Sequence, residues 1–366
     1  SPSSPEEGRS PRRTSGHHQF IVTILVPDLT MHRDPVFPVT RRTAIVSLGS
    51  VGLALVFDNM PAYGGNLVVD RLNSVLPNFT AKSRELLQRL LSARDYSGCI
   101  SASDASSLAG FEKVSVDQLM VNLIPLAQSY SHAPISNFFV GVVVRGASGA
   151  LYTGANIEIP GQCLGFAVHA EQSALSNCYM HSERAVSALA VGAEPCGHCR
   201  QFINEASPDG EILILMPGKP PAKLSTLLPG AFGPAALGMK NGAFPPPSTK
   251  LAPGGYSGGP ESVAALDAAC RSYAPYSKSP SGVAIRTTSG RIYRGSYIEN
   301  VAFNPSLSPL QTALAALIAG GEDYSSIEAA ALVEAQGAKI SQRPVTETVL
   351  KAIAPTAKLI LGVATY

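Results

Sequence analysis

The strongest restriction on the fold comes from an internal repeat with an offset of 141 residues. Ala133-Pro134 recurs as Ala274-Pro275, and Ser148-Gly149 recurs as Ser289-Gly290. The same offset relates further single residues, namely Tyr152 and Tyr293, Gly154 and Gly295, and Glu158 and Glu299. A constant offset across turn, strand and polar positions indicates a duplicated domain. We therefore expect two similar units in one chain.

Strand and helix patterns alternate within each unit. In the first unit we expect a hairpin (139–145 and 151–159), a helix (166–179), a strand (185–191), a helix (196–206) and a strand (211–216). In the second we expect a helix (310–318), a strand (329–333), a helix (345–353) and a strand (358–363). This alternation predicts an α/β sandwich whose sheet is largely parallel after the first hairpin.

The rest of the chain divides by composition. Residues 1–68 combine arginines, an apolar run and small residues, which resembles a twin-arginine or plastid targeting peptide. A disordered extension or an incorrectly assigned start are the alternatives. We expect a helical segment at 69–130, the first unit at 131–218, a Pro/Gly-rich connector at 219–262 and the second unit at 263–366.

Composition excludes several classes of protein. With 45% hydrophobic and 15% charged residues, the 366-residue chain can bury a sizeable core. A net charge of +2 shows none of the basic excess of a general nucleic-acid binder. The longest uncharged apolar run, 43–57, has 15 residues, fewer than the ~20 needed to span a bilayer. We therefore expect neither a nucleic-acid nor a membrane partner.

Three residues of the first unit have the chemistry of a catalytic zinc site. His169 precedes Cys196 by 27 residues, and Cys199 follows three residues later. One imidazole and two thiolates leave the fourth tetrahedral position of Zn²⁺ open for water. Both cysteines fall at a predicted helix start, where backbone N–H groups favour thiolates. His198 is an alternative ligand, but its place between the cysteines turns it away from their face.

Glu171 lies two residues after His169, beside the expected metal. A carboxylate there can take a proton from zinc-activated water and deliver it to a leaving group. His-x-Glu followed by Pro-Cys-x-x-Cys is the motif of zinc-dependent deaminases of cytosine and adenine. A Cys-x-x-Cys pair alone would also fit a redox pair or half of a structural zinc site. His132 and His181 are interpreted as surface polar residues.

The sequence resembles the cytidine deaminase family, in its homodimeric two-domain class of bacteria and plants. The resemblance runs from about residue 70 to the C-terminus, and four stretches carry it: 169–174 (HAEQSA), 195–202 (PCGHCRQF), 276–284 (YSKSPSGVA) and 303–311 (FNPSLSPLQ). It implies a three-layer α/β/α sandwich, duplicated as a catalytic and a degenerate copy after a small helical segment. It also implies one Zn²⁺ per chain and a homodimer.

Further site residues follow from the resemblance. Asn156 and Glu158 are implied to bind the ribose hydroxyls, and the backbone N–H of Ala170 the base carbonyl. Phe138 is implied to pack on the pyrimidine, although a Phe at the start of a buried strand would otherwise be interpreted as core. Phe232, in the connector, is implied to reach the partner subunit's site.

The second unit lacks the zinc ligands. Aligning Gln172 with Gln311, an offset of 139, places Ser308 opposite His169 and Leu310 opposite Glu171. No cysteine pair occurs near residues 343–347. We therefore expect this copy to be structural.

The implied activity is hydrolytic deamination of free cytidine and deoxycytidine in pyrimidine salvage, with Glu171 as the proton shuttle. The alternatives are a polynucleotide cytidine deaminase and a non-catalytic, zinc-scaffolded binding module. A cytoplasmic location is expected, or a plastid location if residues 1–68 are a targeting peptide.

Overall fold

The structure is a computed structural model that describes residues 65–255 and 258–366. The targeting interpretation of the N-terminal extension falls on residues outside these ranges, apart from 65–68. Five helices and a short strand precede the first hairpin: α1 (Gly65–Val75), α2 (Ala81–Leu91), β1 (Cys99–Ile100), α3 (Ala102–Glu112), α4 (Val116–Asn122) and α5 (Ile124–Gln128). The helical periodicity of this segment is thus confirmed.

The first unit follows the expected order of strands and helices. It consists of β2 (Gly141–Gly146), β3 (Leu151–Ala155), α6 (Ala170–Met180), β4 (Val186–Val191), α7 (Gly197–Ala206) and β5 (Leu213–Leu215). Helix α6 begins four residues later than the periodicity predicts, because Val168 remains extended and pairs with Ile157. This later start places His169 at the N-cap position of α6.

The connector and the second unit complete the chain. Their elements are β6 (Ala222–Lys223), α8 (Leu224–Leu227), β7 (Ala252–Pro253), α9 (Pro260–Cys270), β8 (Ser281–Thr287), β9 (Ile292–Ser296), α10 (Pro309–Ala319), β10 (Ile327–Ala335), α11 (Arg343–Ile353) and β11 (Lys358–Thr365). Helix α9 begins three residues before the expected limit of the second unit at 263.

The prediction of a sheet that is largely parallel after the first hairpin holds for only one pair of neighbouring strands in each sheet. Strand order is β1-β3-β2-β4-β5-β6 in one sheet and β7-β11-β10-β8-β9 in the other. Within each, one pair is parallel, β4 with β5 and β10 with β11, and the other pairs are antiparallel. Helical crossovers do give β3, β4 and β5 a common direction. Strand β2, however, inserts between β3 and β4 and runs against both.

Helices cover both faces of each sheet, and the two units pack together through α6 and α10. One continuous apolar core extends through both units and includes Leu175 of α6 and Leu314 of α10, both almost fully buried. A smaller core of mainly alanine side chains lies between α9 and the second sheet. The duplicated α/β/α sandwich is therefore confirmed.

The repeated glycines mark the closest contacts between strand and helix. A Cβ atom on Gly154 would lie 2.1 Å from the backbone nitrogen of Ala174 in α6. A Cβ atom on Gly295 would lie 2.2 Å from the backbone nitrogen of Ala313 in α10. No side chain fits at that separation, so the repeat keeps glycine at both positions.

Candidate active site

Two helix N-termini bring the predicted zinc ligands together. His169 caps α6 and Cys196 caps α7, while Cys199 lies in the first turn of α7. His169 Nδ1 is 3.6 Å from Cys196 Sγ and 3.3 Å from Cys199 Sγ. The three donor atoms lie within 4.8 Å of one another, and no other such group of His, Cys, Asp or Glu occurs in the part of the chain that the structure describes.

This donor set fits Zn²⁺. Tetrahedral Zn–N and Zn–S bonds of about 2.0–2.3 Å place N and S atoms about 3.6 Å apart, close to the two observed separations. Cys196 Sγ also accepts a hydrogen bond from the Cys199 N–H. Burial, together with the nearby Glu171 and Cys196, raises the pKa of the Cys199 thiol. A bound cation reverses that balance.

Glu171 lies directly beside the donor group. Its side chain is only 5% exposed, at the second position of α6. It nonetheless lines the cavity into which His169 and Cys196 also face. A buried carboxylate with access to the same cavity as the metal donors is placed to transfer protons there.

The cavity joins the donor group to most of the residues implied to bind substrate. Its volume is about 330 Å³, within the usual range of ligand sites. Phe138, Asn156, Glu158 and Ala170 all line it. Ala170 is the first residue of α6, so its N–H has no partner within the helix.

Phe138 is 63% exposed and lies ahead of β2, so the interpretation of this side chain as core is wrong. The loop before β2 instead presents the ring to the cavity. An exposed aromatic ring beside a polar site is suited to stacking on a planar ligand.

Asn156 and Glu158 organise the cavity wall through their own hydrogen bonds. The Asn156 amide oxygen accepts from Ser131 Oγ (2.5 Å) and from the Val140 N–H (2.9 Å). The Glu158 carboxylate accepts from the N–H groups of Ile135 (2.8 Å) and Ser136 (3.0 Å), and from Ser136 Oγ (2.5 Å). Three hydrogen bonds leave one lone-pair position of this carboxylate for a ligand hydroxyl.

Phe232 does not line this cavity. Its ring is 49% exposed, and its carbonyl accepts a hydrogen bond from Gln201 Nε2 of α7 at 2.8 Å. The connector is thus attached to the helix that carries the cysteines. The role implied for Phe232 concerns a partner subunit and stays a prediction.

Of the other histidines discussed above, one is buried where the sequence predicted a surface residue. His132 is 8% exposed, and its ring packs against Tyr324 of the second unit, so its interpretation as a surface residue is wrong. Its backbone pairs with Ile157, between the two implied ribose-binding residues. His181 is exposed, as expected. The His198 ring centre lies 5.4 Å from that of His169, and His198 is outside the donor group.

Sequence reasoning missed several residues that hold the site in place. Arg200 donates to the carbonyls of Pro195 (2.8 Å) and Leu227 (2.7 Å), which fixes the loop before Cys196. Glu205, at the end of α7, is 1% exposed and accepts from Tyr273 (2.7 Å) and Tyr276 (2.5 Å) of the second unit. Burial raises the pKa of this carboxyl. The local sequence around a single charged residue gives no signal for such contacts between units.

The second unit reproduces the frame without the donors. Ser308 caps α10 as His169 caps α6, which confirms the alignment of the two copies. Helix α11, the counterpart of α7, begins with Arg343-Pro344 in place of the cysteine pair. A His-Cys-Cys donor set beside a carboxylate that is not one of the donors is typical of the class of zinc-dependent deaminases.

Comparison with known proteins agrees with this class. Two family models, each described as the cytidine and deoxycytidylate deaminase zinc-binding region, match residues 114–216 and 224–347. A cytidine deaminase of Vibrio vulnificus (strain CMCP6) is 42% identical over 290 residues, covering 78% of this chain and 97% of that protein. One from Aliivibrio fischeri is 40% identical over 289 residues, covering 79% and 96%.

Among solved structures, the cytidine deaminase from Mycobacterium tuberculosis is 30% identical and covers 32% of this chain and 96% of that chain, with a TM-score of 0.30. The chain belongs to the family of zinc-dependent cytidine deaminases, in the class with two deaminase units per chain. Among the described helices, none is long and apolar enough to cross a bilayer.

Proposed function

We propose that the chain hydrolyses free cytidine and deoxycytidine to uridine and deoxyuridine, with release of ammonia, as a step of pyrimidine salvage. The observation that carries this proposal is the single cavity shared by His169, Cys196, Glu171 and the Asn156–Glu158 pair. It joins a metal donor set, a proton carrier and sugar-binding groups within the space of one small ligand.

His169, Cys196 and Cys199 would hold one Zn²⁺ per chain, since the second unit has no equivalent donors. Bound zinc would polarise a water molecule and lower its pKa toward neutrality. Glu171 takes one proton from that water and delivers it to N3 of the cytosine ring as the water oxygen bonds to C4. It then takes the proton of the new C4 hydroxyl and delivers it to the exocyclic amine, so that the C4–N bond breaks, C4 becomes a carbonyl and ammonia leaves.

The other lining residues position the nucleoside. The Ala170 N–H donates to the base carbonyl, the Phe138 ring packs on the pyrimidine, and Asn156 with Glu158 bind the ribose hydroxyls. Of the described residues that line the cavity, none is Lys or Arg, whereas Glu158, Glu171 and Glu194 are acidic. An acidic wall repels the phosphates of a polynucleotide, which favours the free nucleoside.

We further propose a homodimer in which Phe232 completes the partner subunit's cavity. Its half-exposed ring and its attachment to α7 support this role. The cytoplasmic location expected from the sequence, or a plastid location if residues 1–68 are a targeting peptide, stays a prediction.

The test combines the loss of cytidine ultraviolet absorbance with the zinc content of wild-type protein and Glu171→Gln. We expect wild type to turn over cytidine with about one zinc per chain. The variant should keep the zinc and lose about 10²–10⁴-fold in kcat, the usual contribution of a proton-transferring group. Zinc without turnover in wild type would favour a binding module, and two zinc ions per chain would contradict the non-catalytic second unit.

A further inference from the structure

Two glutamines, one in each unit, donate hydrogen bonds to the backbone of the opposite unit in a nearly symmetric way. Gln172 and Gln311 occupy the third position of α6 and α10. Each side-chain oxygen accepts from the N–H of its own N-cap residue, His169 at 3.2 Å and Ser308 at 3.0 Å. Each side-chain amide then donates into the other unit. Both side chains are buried, at 2% and 9% exposure.

The donors of the two glutamines reach different kinds of backbone. Gln172 Nε2 donates to the Pro305 carbonyl at 3.1 Å, in a loop that holds no metal donor. Gln311 Nε2 donates to the carbonyls of Phe166 (3.2 Å) and Ala167 (3.3 Å). These two carbonyls belong to the short segment that leads directly into His169.

The segment before His169 is therefore fixed from two sides. Val168 exchanges backbone hydrogen bonds with Ile157, at 2.8 Å in each direction. On the other side, Gln311 holds the two preceding carbonyls. Because the direction of the His169 side chain follows its backbone, these contacts set the place of the imidazole relative to the cysteines.

The amide of Gln311 has no role that its own helix requires. A capping box of this kind accepts Glu or Gln at the third position, since only the side-chain oxygen is used. What glutamine adds is the N–H donor, and that donor contacts the first unit. A metal ligand held by groups outside the coordination sphere commonly loses 10–100-fold in metal affinity when they are removed.

We propose that Gln311 of the non-catalytic unit is a positioning residue for the zinc ligand His169. The second unit would then contribute to zinc retention within the same chain. This inference rests on the proposed function, in that His169, Cys196 and Cys199 must hold zinc.

The test measures zinc release from the full-length holoenzyme to a chromophoric chelator, with the melting temperature recorded in parallel. Gln311→Glu keeps the capping oxygen and removes the donor to the first unit. Ser296→Ala is the matched control, because it removes a buried hydroxyl that donates to the Ala268 carbonyl within the second unit. Both changes should lower the melting temperature.

We expect Gln311→Glu to release zinc about 10–100-fold faster than wild type and Ser296→Ala to release it at the wild-type rate. Release at the wild-type rate from Gln311→Glu, or equal acceleration in both variants, would overturn the inference. If Gln311→Glu does not fold, Gln311→Met, of similar length and without a donor, takes its place. A wild-type protein without zinc would instead contradict the proposed function itself.

Discussion

Glu158 and Glu299 hold equivalent loops in the two units, 141 residues apart. Glu158 accepts from the N–H groups of Ile135 and Ser136, and Glu299 accepts from those of Tyr276 and Ser277. The second unit has no zinc donors, so this contact does not depend on substrate. The contact between carboxylate and loop is therefore a structural element of the fold. Only in the first unit does the loop also carry a residue, Phe138, that faces the cavity.

The first prediction separates the two functions of the Glu158 carboxylate, which are holding its loop and binding the ribose. Glu158→Gln should raise the KM for cytidine about tenfold or more, because hydrogen bonds to a charged group contribute about 1.5–3 kcal/mol each. Glu299→Gln, the matched control, should lower the free energy of unfolding by a comparable amount and leave KM nearly unchanged. Steady-state kinetics and chemical denaturation of both variants give the comparison. Equal increases in KM would argue against ribose binding by Glu158.

The second prediction concerns the metal donors. Cys199→Ala should abolish zinc retention after dialysis, because two remaining donors do not complete the site. Cys178→Ala is the control, since Cys178 is a fully buried cysteine of α6 outside the donor group. It should keep wild-type zinc content, measured by elemental analysis. A Cys199→Ala protein that retains stoichiometric zinc would show that the donor set is misassigned.

The third prediction concerns the contact between β3 and α6. Gly154→Ala should lower the free energy of unfolding by about 2 kcal/mol or more, because the new methyl group would overlap the Ala174 backbone. Gly110→Ala places the same methyl group on α3, where no atom lies within 4 Å. That change should stabilise the protein by about 0.5–1 kcal/mol. Denaturant titration measures both, and similar effects at the two positions would be inconsistent with the close approach.

The fourth prediction concerns acid stability. Burial lowers the pKa of His132 from 6.5 to about 4, and Arg71 acts in the same direction while Asp323 opposes it. Below pH 6.5 His132 therefore binds a proton in the unfolded chain, whereas in the folded chain it stays neutral until about pH 4. Protonation of the unfolded chain therefore lowers the free energy of unfolding as the pH falls from 6.5 toward 4, by up to about 3 kcal/mol, and has no effect above pH 6.5.

His132→Phe keeps a ring against Tyr324 and removes this titration. Its free energy of unfolding should fall less steeply than that of wild type between pH 6.5 and 4. Carboxylates with lowered pKa values, such as Glu183 and Glu322, contribute equally to both proteins. The difference between the two pH profiles therefore reports His132, and parallel profiles would contradict its assignment as a buried neutral imidazole.

Much of the site was predictable from local spacing. His169 with Glu171, and Cys196 with Cys199, lie within single turns of helix starts, so short motifs carry their chemistry. Phe138 was different, because an apolar residue before an apolar run is equally typical of the core. Glu158 holds the loop before Phe138 through hydrogen bonds from Ile135 and Ser136, and these contacts span 23 and 22 residues of chain, which periodicity does not contain.

The sequence by itself determined the duplication, the order of helices and strands, and the metal donor set, since repeats, periodicity and motifs are local properties of the chain. The tertiary structure decided the direction of the strands, the burial of His132 and the hydrogen bonds that Gln172 and Gln311 donate to the opposite units. Each depends on which distant segments become neighbours when apolar faces pack, as β2 enters between β3 and β4 and α10 packs on α6. Hydrogen bonds between such segments form only after that packing and leave no periodic trace in the sequence.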